Sequence, residues 1–207
     1  MSNSPVMQTQ QIGDFFTVNE LFSVNLLPLS GDATVPDDEQ FEQQMPELFK
    51  MASDMAGADK DLLEKLRLES QNSPTLGMFL EHMNQRMITM LGYLLRYEDE
   101  PQHRFNGVEF GGGGIRVESE QTFAAGQLFQ AKLFLKAESL AIFCYLRCIQ
   151  NCDDDTSDSH QMTLEFAQIS EQDQEHLIRA SLHAQSRQLK RRAQQRKREN
   201  SENNENT

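Results

Sequence analysis

The predicted fold depends on one stretch of sequence, Arg104-Phe-Asn-Gly-Val-Glu-Phe-Gly-Gly-Gly-Gly-Ile-Arg-Val117. Residues that favour β-strands precede and follow the four consecutive glycines, Gly111 to Gly114. Because glycine has no Cβ, the backbone here either turns sharply with positive φ or lets another part of the protein approach closely. We therefore predict two strands joined by a glycine turn, with helices before them and short strands and a helix after them.

A long amphipathic helix is predicted upstream of this turn, over residues 74–98, with Ser73 as its N-cap and Pro74 in its first turn. Its apolar residues recur at alternating steps of four and three: Leu76, Leu80, Met83, Met87, Met90, Leu94 and Tyr97. We call this row the apolar stripe. Heptad spacing is typical of a helix that packs against a partner helix. The alternative is a single amphipathic helix buried against its own neighbours, since Met specifies coiled coils poorly.

A second row on this helix, Ile88, Leu91 and Leu95, lies on a different face and is expected to pack on the chain's own domain. Shorter helices are predicted over residues 46–55 and 60–69, and an acidic loop over residues 30–39. Ser170 and Asp173 have the spacing that marks the start of a C-terminal helix.

Alternating apolar residues predict four further strands. They are centred on Phe22 to Leu26, Gln127 to Leu135, Leu140 to Ile149 and Met162 to Phe166. Pro28 ends the first of these, which places that strand at a sheet edge. The strand that begins at Leu140 is apolar on both faces, so we expect it to be central or to lie beneath a helix.

The charge of the chain is unevenly placed. The net charge is −13, but residues 187–207 hold seven Lys or Arg and three Glu, a net +4, which leaves −17 for the rest. An acidic body disfavours binding to nucleic acid phosphates. The basic stretch 187–198 fits an acidic partner or an anionic membrane surface, or is simply a solvated helix end.

The cysteines predict buried thiols in a reducing compartment. Cys144, Cys148 and Cys152 lie four residues apart, on one face of a strand, and no second Cys or His cluster completes a zinc site. Their odd number and the absence of a signal peptide favour the cytoplasm over an oxidising compartment. A redox role for them is the alternative. No apolar run approaches the roughly 20 residues that a membrane span needs.

No arrangement of catalytic residues is recognisable, and we predict that the chain is not an enzyme and holds no metal. It lacks the motifs of serine hydrolases, zinc proteases and phosphate-binding loops, and its five histidines are expected mostly on polar surfaces. The acidic segment 153–158 lacks the ligand spacing of a calcium loop and is expected to be a hairpin tip. The glycine turn has two interpretations: backbone N–H groups that bind an anion between Arg104 and Arg116, or a packed barrel corner.

Several segments in order resemble a PilZ domain over about residues 103–190. They are Gly111-Gly-Gly-Gly-Ile-Arg-Val117, Phe123-Ala-Ala-Gly-Gln127, Leu133-Phe-Leu135 and Leu164-Glu-Phe-Ala-Gln-Ile-Ser-Glu-Gln-Asp173. The resemblance implies an α+β, mainly β fold: a small antiparallel six-stranded β-barrel with a C-terminal helix, extended here by N-terminal helices. The expected organisation is a disordered segment 1–14, a strand and helical extension 15–101, the barrel with its helix 103–190 and a polar tail 191–207.

Many PilZ domains bind the bacterial second messenger cyclic di-GMP through an Arg-x-x-x-Arg segment and an Asp/Asn-x-Ser-x-x-Gly turn. This chain has Glu109-Phe-Gly-Gly-Gly-Gly114 at the turn, so only the last glycine matches and the Ser is absent. Upstream, Arg96 is followed four residues later by Glu100, and Arg104 stands alone. The loss of an arginine pair removes several charge-assisted hydrogen bonds to a nucleotide.

The resemblance therefore implies a non-catalytic adaptor in cyclic di-GMP signalling, with protein partners in a motility, pilus, polysaccharide or virulence pathway and no cofactor. It is expected to form a homo-oligomer through residues 74–98, with Leu76, Leu80, Met83, Met87, Met90 and Leu94 at the interface. The alternative is a cyclic di-GMP receptor with an altered site made of Arg104, Glu109, Gly111, Gly114 and Arg116.

Overall fold

The computed structural model describes residues 11–12, 15–55, 65, 74–153 and 160–205. The strands are β1 Gln11–Ile12, β2 Phe15–Pro28, β3 Arg104–Gly111, β4 Gly114–Ser119, β5 Leu128–Leu135, β6 Leu140–Asp153 and β7 His160–Gln168. The helices are α1 Asp38–Gln44, α2 over residues 47–55, α3 Pro74–Leu95 and α4 Glu171–Glu205, with short 3-10 turns at Pro101–His103 and Lys136–Glu138. The predicted helix 60–69 and hairpin tip 153–158 lie almost entirely outside the described residues.

Six antiparallel strands close into a barrel in the order β2-β3-β4-β7-β6-β5, and β2 also pairs with β5. The predicted antiparallel six-stranded barrel with a C-terminal helix is thus confirmed. The prediction that the strand ending at Pro28 lies at a sheet edge is wrong. Strand β2 is 14 residues long, so its second half reaches β5 while it pairs along its length with β3. Pro28 tolerates this position because it is the last residue of the strand.

The barrel interior is a single apolar core. Its buried side chains include Val24, Phe110, Ile115, Val117, Phe129, Leu133, Ile142, Leu146, Met162 and Leu164. Helix α4 adds Leu177, Ala180 and Ala184 to the same core. The start of α4 is fixed by the predicted cap, since the backbone N–H of Asp173 donates to the Ser170 hydroxyl at 3.1 Å.

The outer face of β6 builds a second core. Phe143 and Tyr145 on this face pack against Phe41 of α1 and Phe49 of α2. The prediction that this strand lies beneath a helix is confirmed. The predicted loop over residues 30–39 ends sooner than expected, because the Asp37 carboxylate accepts a hydrogen bond from the backbone N–H of Gln40 at 2.9 Å and so caps α1.

The structure buries two cysteines, as the sequence predicts, and it also buries one histidine. Cys144 and Cys148 are buried thiols of the barrel core, as predicted. Burial and the negative charge of Asp173 raise the pKa of the Cys144 thiol well above its ordinary value. His176 is an exception to the polar surfaces expected for most histidines, because the packing of α4 buries it with its Nδ1 3.9 Å from Asp173 Oδ1.

In the parts of the chain that the structure describes, no helix is both long and apolar enough to cross a lipid bilayer.

The close packing around the glycine turn leads to a prediction about the stability of the barrel. A Cβ added at Gly114 of β4 would overlap the carbonyl oxygen of Leu164 and approach the Cα of Glu165 to 2.9 Å, both in the neighbouring strand β7. We expect Gly114→Ala to lower the free energy of unfolding by about 1–3 kcal/mol, because backbone atoms cannot move aside as a flexible side chain can. Urea unfolding measures this difference.

The matched control is Gly92→Ala in α3, where an added Cβ meets nothing within 4 Å. We expect this change to leave the free energy of unfolding unaltered or to raise it by up to about 1 kcal/mol through helix propensity. Equal stabilities for the two variants would show that β4 and β7 are not held at this spacing.

Candidate functional site

The glycine turn connects β3 to β4 and is packed on both sides. None of its four glycines has positive φ. Glycine is therefore required here because neighbouring atoms approach the backbone closely, and not because the backbone is left-handed. A Cβ at Gly112 would lie 2.6 Å from Ile178 Cγ1 of α4 and 2.7 Å from Phe15 Cδ1 of β2.

The carbonyl groups at the tip of this turn also have partners. The oxygen of Gly112 accepts a hydrogen bond from Gln174 Nε2 at 2.8 Å, and that of Gly113 accepts from the backbone N–H of Phe166 at 3.1 Å. These surroundings are those of a packed barrel corner, one of the two interpretations that the sequence leaves open.

Two of the candidate ligand residues pair with each other beside the turn. Glu109 of β3 and Arg116 of β4 are directly opposite in the sheet, and Arg116 Nη1 donates to Glu109 Oε2. Thr17 of β2 donates its hydroxyl to the other carboxylate oxygen, and Arg116 Nε donates to Thr163 Oγ1 of β7 at 3.3 Å. Only 1% of the Glu109 side chain is exposed, against 21% for Arg116. The carboxylate is therefore a buried group whose charge is balanced within the protein.

The third charged candidate, Arg104, lies away from this pair. It begins β3, about 16 Å from Glu109 at 3.3 Å per residue of strand. Its guanidinium forms a two-pronged ion pair with Asp99, with Nε 3.1 Å from Oδ1 and Nη2 2.7 Å from Oδ2. The structure thus brings together Glu109, Arg116 and the glycine turn, and it places Arg104 at the junction between α3 and the barrel.

This junction contains polar contacts between residues that are far apart in the sequence. We call them the junction network; its members are Asn25, Glu98, Asp99, Glu100, Arg104 and Lys132. Asn25 is separated from Glu100 by 75 residues and Lys132 from Glu98 by 34, so no local pattern links them. The run Glu98-Asp-Glu100 is the one visible signal, because three successive carboxylates after a helix need cations or solvent.

The titration of two members reflects these contacts. Burial alone would raise the pKa of Asp99, but hydrogen bonds from Arg104 and Asn25 and the charge of Arg104 outweigh it, so the pKa lies below its ordinary value. Burial alone would lower the pKa of Lys132, but Glu98 and Glu100 outweigh it and the pKa is raised. Both groups therefore favour their charged forms in the folded protein.

Helix α3 leaves most of its apolar residues uncovered. On the apolar stripe, Leu76, Met83, Met87, Met90, Leu94 and Tyr97 are exposed, and Leu80 is half-buried. The other row packs as predicted at the end of the helix, where Leu91 and Leu95 are buried in the second core. Among the described residues, no group of three or more His, Cys, Asp or Glu is placed to hold a metal ion.

No protein-family model and no curated protein matches the sequence. Among solved structures, the chain is similar to a pathogenic protein from Xanthomonas campestris, a tetrameric PilZ domain self-assembled via a helical bundle. The identity is 15%, the TM-score is 0.49, and the match covers 86% of this chain and 91% of that one. It is also similar to the PilZ domain of Escherichia coli YcgR with c-di-GMP, at 14% identity and a TM-score of 0.34, over 46% and 83% of the two chains.

A third similar structure is the Bacillus subtilis inhibitor of motility, MotI/DgrA, at 24% identity and a TM-score of 0.38. The match covers 41% of this chain, which spans only 42% of that protein. The resemblance to PilZ domains predicted from the sequence is confirmed as a resemblance of fold.

The Glu109–Arg116 pair yields a stability prediction. We expect Arg116→Met to lower the free energy of unfolding by about 3 kcal/mol, because it removes the positive charge beside a buried carboxylate. Adding Glu109→Gln to that variant should recover part of the loss, since the buried charge is then absent too. Chemical denaturation of the single and double variants measures both effects.

The matched control is Arg147→Met, which breaks an exposed ion pair with Glu165 whose closest atoms are 3.5 Å apart. This change should cost less than about 1 kcal/mol. If Arg116→Met costs no more than the control, the Glu109 carboxylate is not buried as described.

Proposed function

We propose that this chain is a non-catalytic PilZ-type adaptor of bacterial cyclic di-GMP signalling that acts through protein–protein contacts. Its helix α3 forms a homo-oligomer through the apolar stripe, and the assembled barrels present surfaces to partners in a signalling, motility, pilus or polysaccharide pathway. The observation that carries this proposal is the exposure of the stripe along a helix whose fully buried residues, among those that the structure describes, lie in its last turns.

The partner that packs against the stripe is a second copy of this chain. On α3, which ends at Leu95, the stripe runs from Leu76 to Leu94, about 27 Å of helix at 1.5 Å per residue, and so far exceeds the scattered apolar residues of an ordinary surface. Its spacing of 3.5 residues matches the period at which one helix meets another identical helix along its length. Self-association buries the same residues on every copy at once.

The chemistry beside the glycine turn supports an adaptor rather than a standard nucleotide receptor. Arg116, the cation nearest the turn, is engaged by Glu109 and Thr163. A phosphate that approached it would meet a nearly neutral pair. The phosphate would therefore gain less binding free energy than it would from an arginine that is not paired with a carboxylate.

The alternative is a cyclic di-GMP receptor with an altered site, in which Arg104, Glu109, Gly111, Gly114 and Arg116 contact the nucleotide. One observation favours it: the Arg104 side chain is 44% exposed, and its ion pair with Asp99 is at the surface. Surface ion pairs contribute little to stability, so a phosphate could compete for this guanidinium.

We further propose that the chain works in the cytoplasm, in line with the reduced, buried thiols of Cys144 and Cys148. The basic stretch 187–198 offers exposed cations at Lys190, Arg191, Arg192 and Arg196 that fit an anionic surface, including that of a membrane.

The oligomer is tested by charge in the stripe. We expect the double variant Met83→Glu and Met87→Glu to reduce the mass of the assembly to that of the monomer, because carboxylates in a helix interface lose their hydration. Sedimentation velocity measures the mass, and circular dichroism shows whether the helices persist.

The control for this test is Met78→Glu, an exposed residue on the opposite side of the same helix. It should leave the mass unchanged. A wild-type protein that sediments as a monomer, or a double variant that keeps the wild-type mass, would contradict assembly through the stripe.

The two functions are separated by thermal unfolding with cyclic di-GMP. A receptor at about 100 times its dissociation constant gains about 2.7 kcal/mol of stability, which raises the unfolding temperature of a domain of this size by several degrees. We expect no rise with about 1 mM cyclic di-GMP compared with GMP. A rise that Arg104→Ala abolishes would instead establish the altered receptor.

A further inference from the structure

We infer that the junction network is a positioning device that fixes the direction in which α3 leaves the barrel. This inference deepens the proposed function, on which it rests, because it explains how one helix presents the same interface in every copy. The residues concerned are positioning residues: they act on the orientation of α3 and do not belong to the apolar stripe.

The apolar contact of α3 with the domain does not determine a direction by itself. Among the residues that the structure describes, those of α3 that are buried are Leu91 and Leu95, one turn apart near the end of a 22-residue helix, with Ile88 half-buried beside them. Hydrophobic contacts are non-directional, so a few side chains near one end of the helix allow it to rotate about that end. A second, directional set of contacts is needed to hold it.

Asn25 supplies the central part of that set. It lies in β2 with 4% of its surface exposed, and both ends of its side-chain amide are used. Its Nδ2 donates to Asp99 Oδ1 at 3.1 Å and to the backbone oxygen of Glu100 at 3.0 Å, while its Oδ1 accepts from the backbone N–H of Glu100 at 3.1 Å. One buried side chain thus holds the backbone of Glu100 in a single position. Glu100 belongs to the linker, the short segment between the end of α3 and the start of β3.

Two cations hold the same linker from either side. Lys132 of β5 lies 3.0 Å from Glu98 Oε2 and 3.1 Å from Glu100 Oε1, and it is only 16% exposed. Arg104 of β3 grips Asp99 with two hydrogen bonds. All three consecutive carboxylates therefore have charged partners on the barrel, and the geometry of these hydrogen bonds, two of them from one guanidinium, defines a direction even where exposure to solvent makes the pair weak.

A small error at the junction becomes large at the far end of the helix. Helix α3 has 22 residues and is therefore about 33 Å long. A tilt of about 20°, comparable to a helix kink, moves its first turn by about 11 Å, a full helix diameter. Two copies can align their stripes along the whole of α3 only if the junction holds this angle.

The test measures the direction of α3 within one subunit. Spin labels are placed at Gln85→Cys on α3 and Glu120→Cys on the barrel, both exposed positions, in the full-length chain with Cys152→Ser. The labelled protein is diluted into an excess of unlabelled chain, and pulsed electron resonance records the intramolecular distance distribution. The variants are Asn25→Ala and, because Asn25 is buried, Lys132→Met as a second change at a less buried site.

We expect a single narrow distance in the wild type and a distribution at least about twice as broad in both variants, with the barrel still folded by circular dichroism. The control Arg147→Met removes an ion pair of the barrel away from the junction and should keep the narrow distribution. Distributions in both folded variants that are as narrow as in the wild type would overturn the inference.

Failure of this inference is distinguishable from failure of the proposed assembly. The distance is measured within a subunit, so it is meaningful in a monomer. A wild-type monomer whose narrow distance distribution broadens in both variants contradicts assembly and supports the positioning role. A wild-type oligomer whose distance does not change in the variants supports assembly and contradicts the positioning role.

Discussion

The structure depends on the pairing of one strand, β2, with two others. Its register sets Asn25 opposite Arg104 of β3 on one side and opposite Lys132 of β5 on the other. Barrel closure therefore places a buried amide between two cations, at the point where the chain enters β3 from α3. Without the pairing of β2 with β5, the barrel would have an open edge and Lys132 would not stand beside the linker.

The sequence predicts the features that depend on residues close together along the chain. The strands around Phe129 and Ile142, the two faces of α3 and the Ser170 cap all follow from residues within a few positions of one another. The second partner of β2 could not be predicted, because a strand of 14 residues shows alternation but not the number of its neighbours. The same holds for the junction network, whose members come together only when the barrel closes.

The candidate ligand residues show a related limit. Glu109 and Arg116 appear in the sequence as an acid and a base on either side of the glycines, and a nucleotide site and an internal ion pair both need such residues. The register of β3 and β4 sets them opposite one another, and Thr17 from β2 completes the contacts of the carboxylate. Cross-strand register thus decides whether a charged side chain is available to a ligand. Composition and motif spacing do not predict this register.

The exposed stripe and the junction network explain each other in the proposed assembly. An apolar stripe on a freely swinging helix would meet many surfaces in many orientations, which favours non-specific association over a defined oligomer. A rigid junction without an apolar helix face would have nothing to orient. A helix held at a fixed angle by hydrogen bonds loses little further freedom when it meets a second copy, so more of the free energy from burying Met and Leu side chains remains as association. In the proposed assembly, the polar junction supplies the specificity that a stripe rich in flexible Met side chains does not supply by itself.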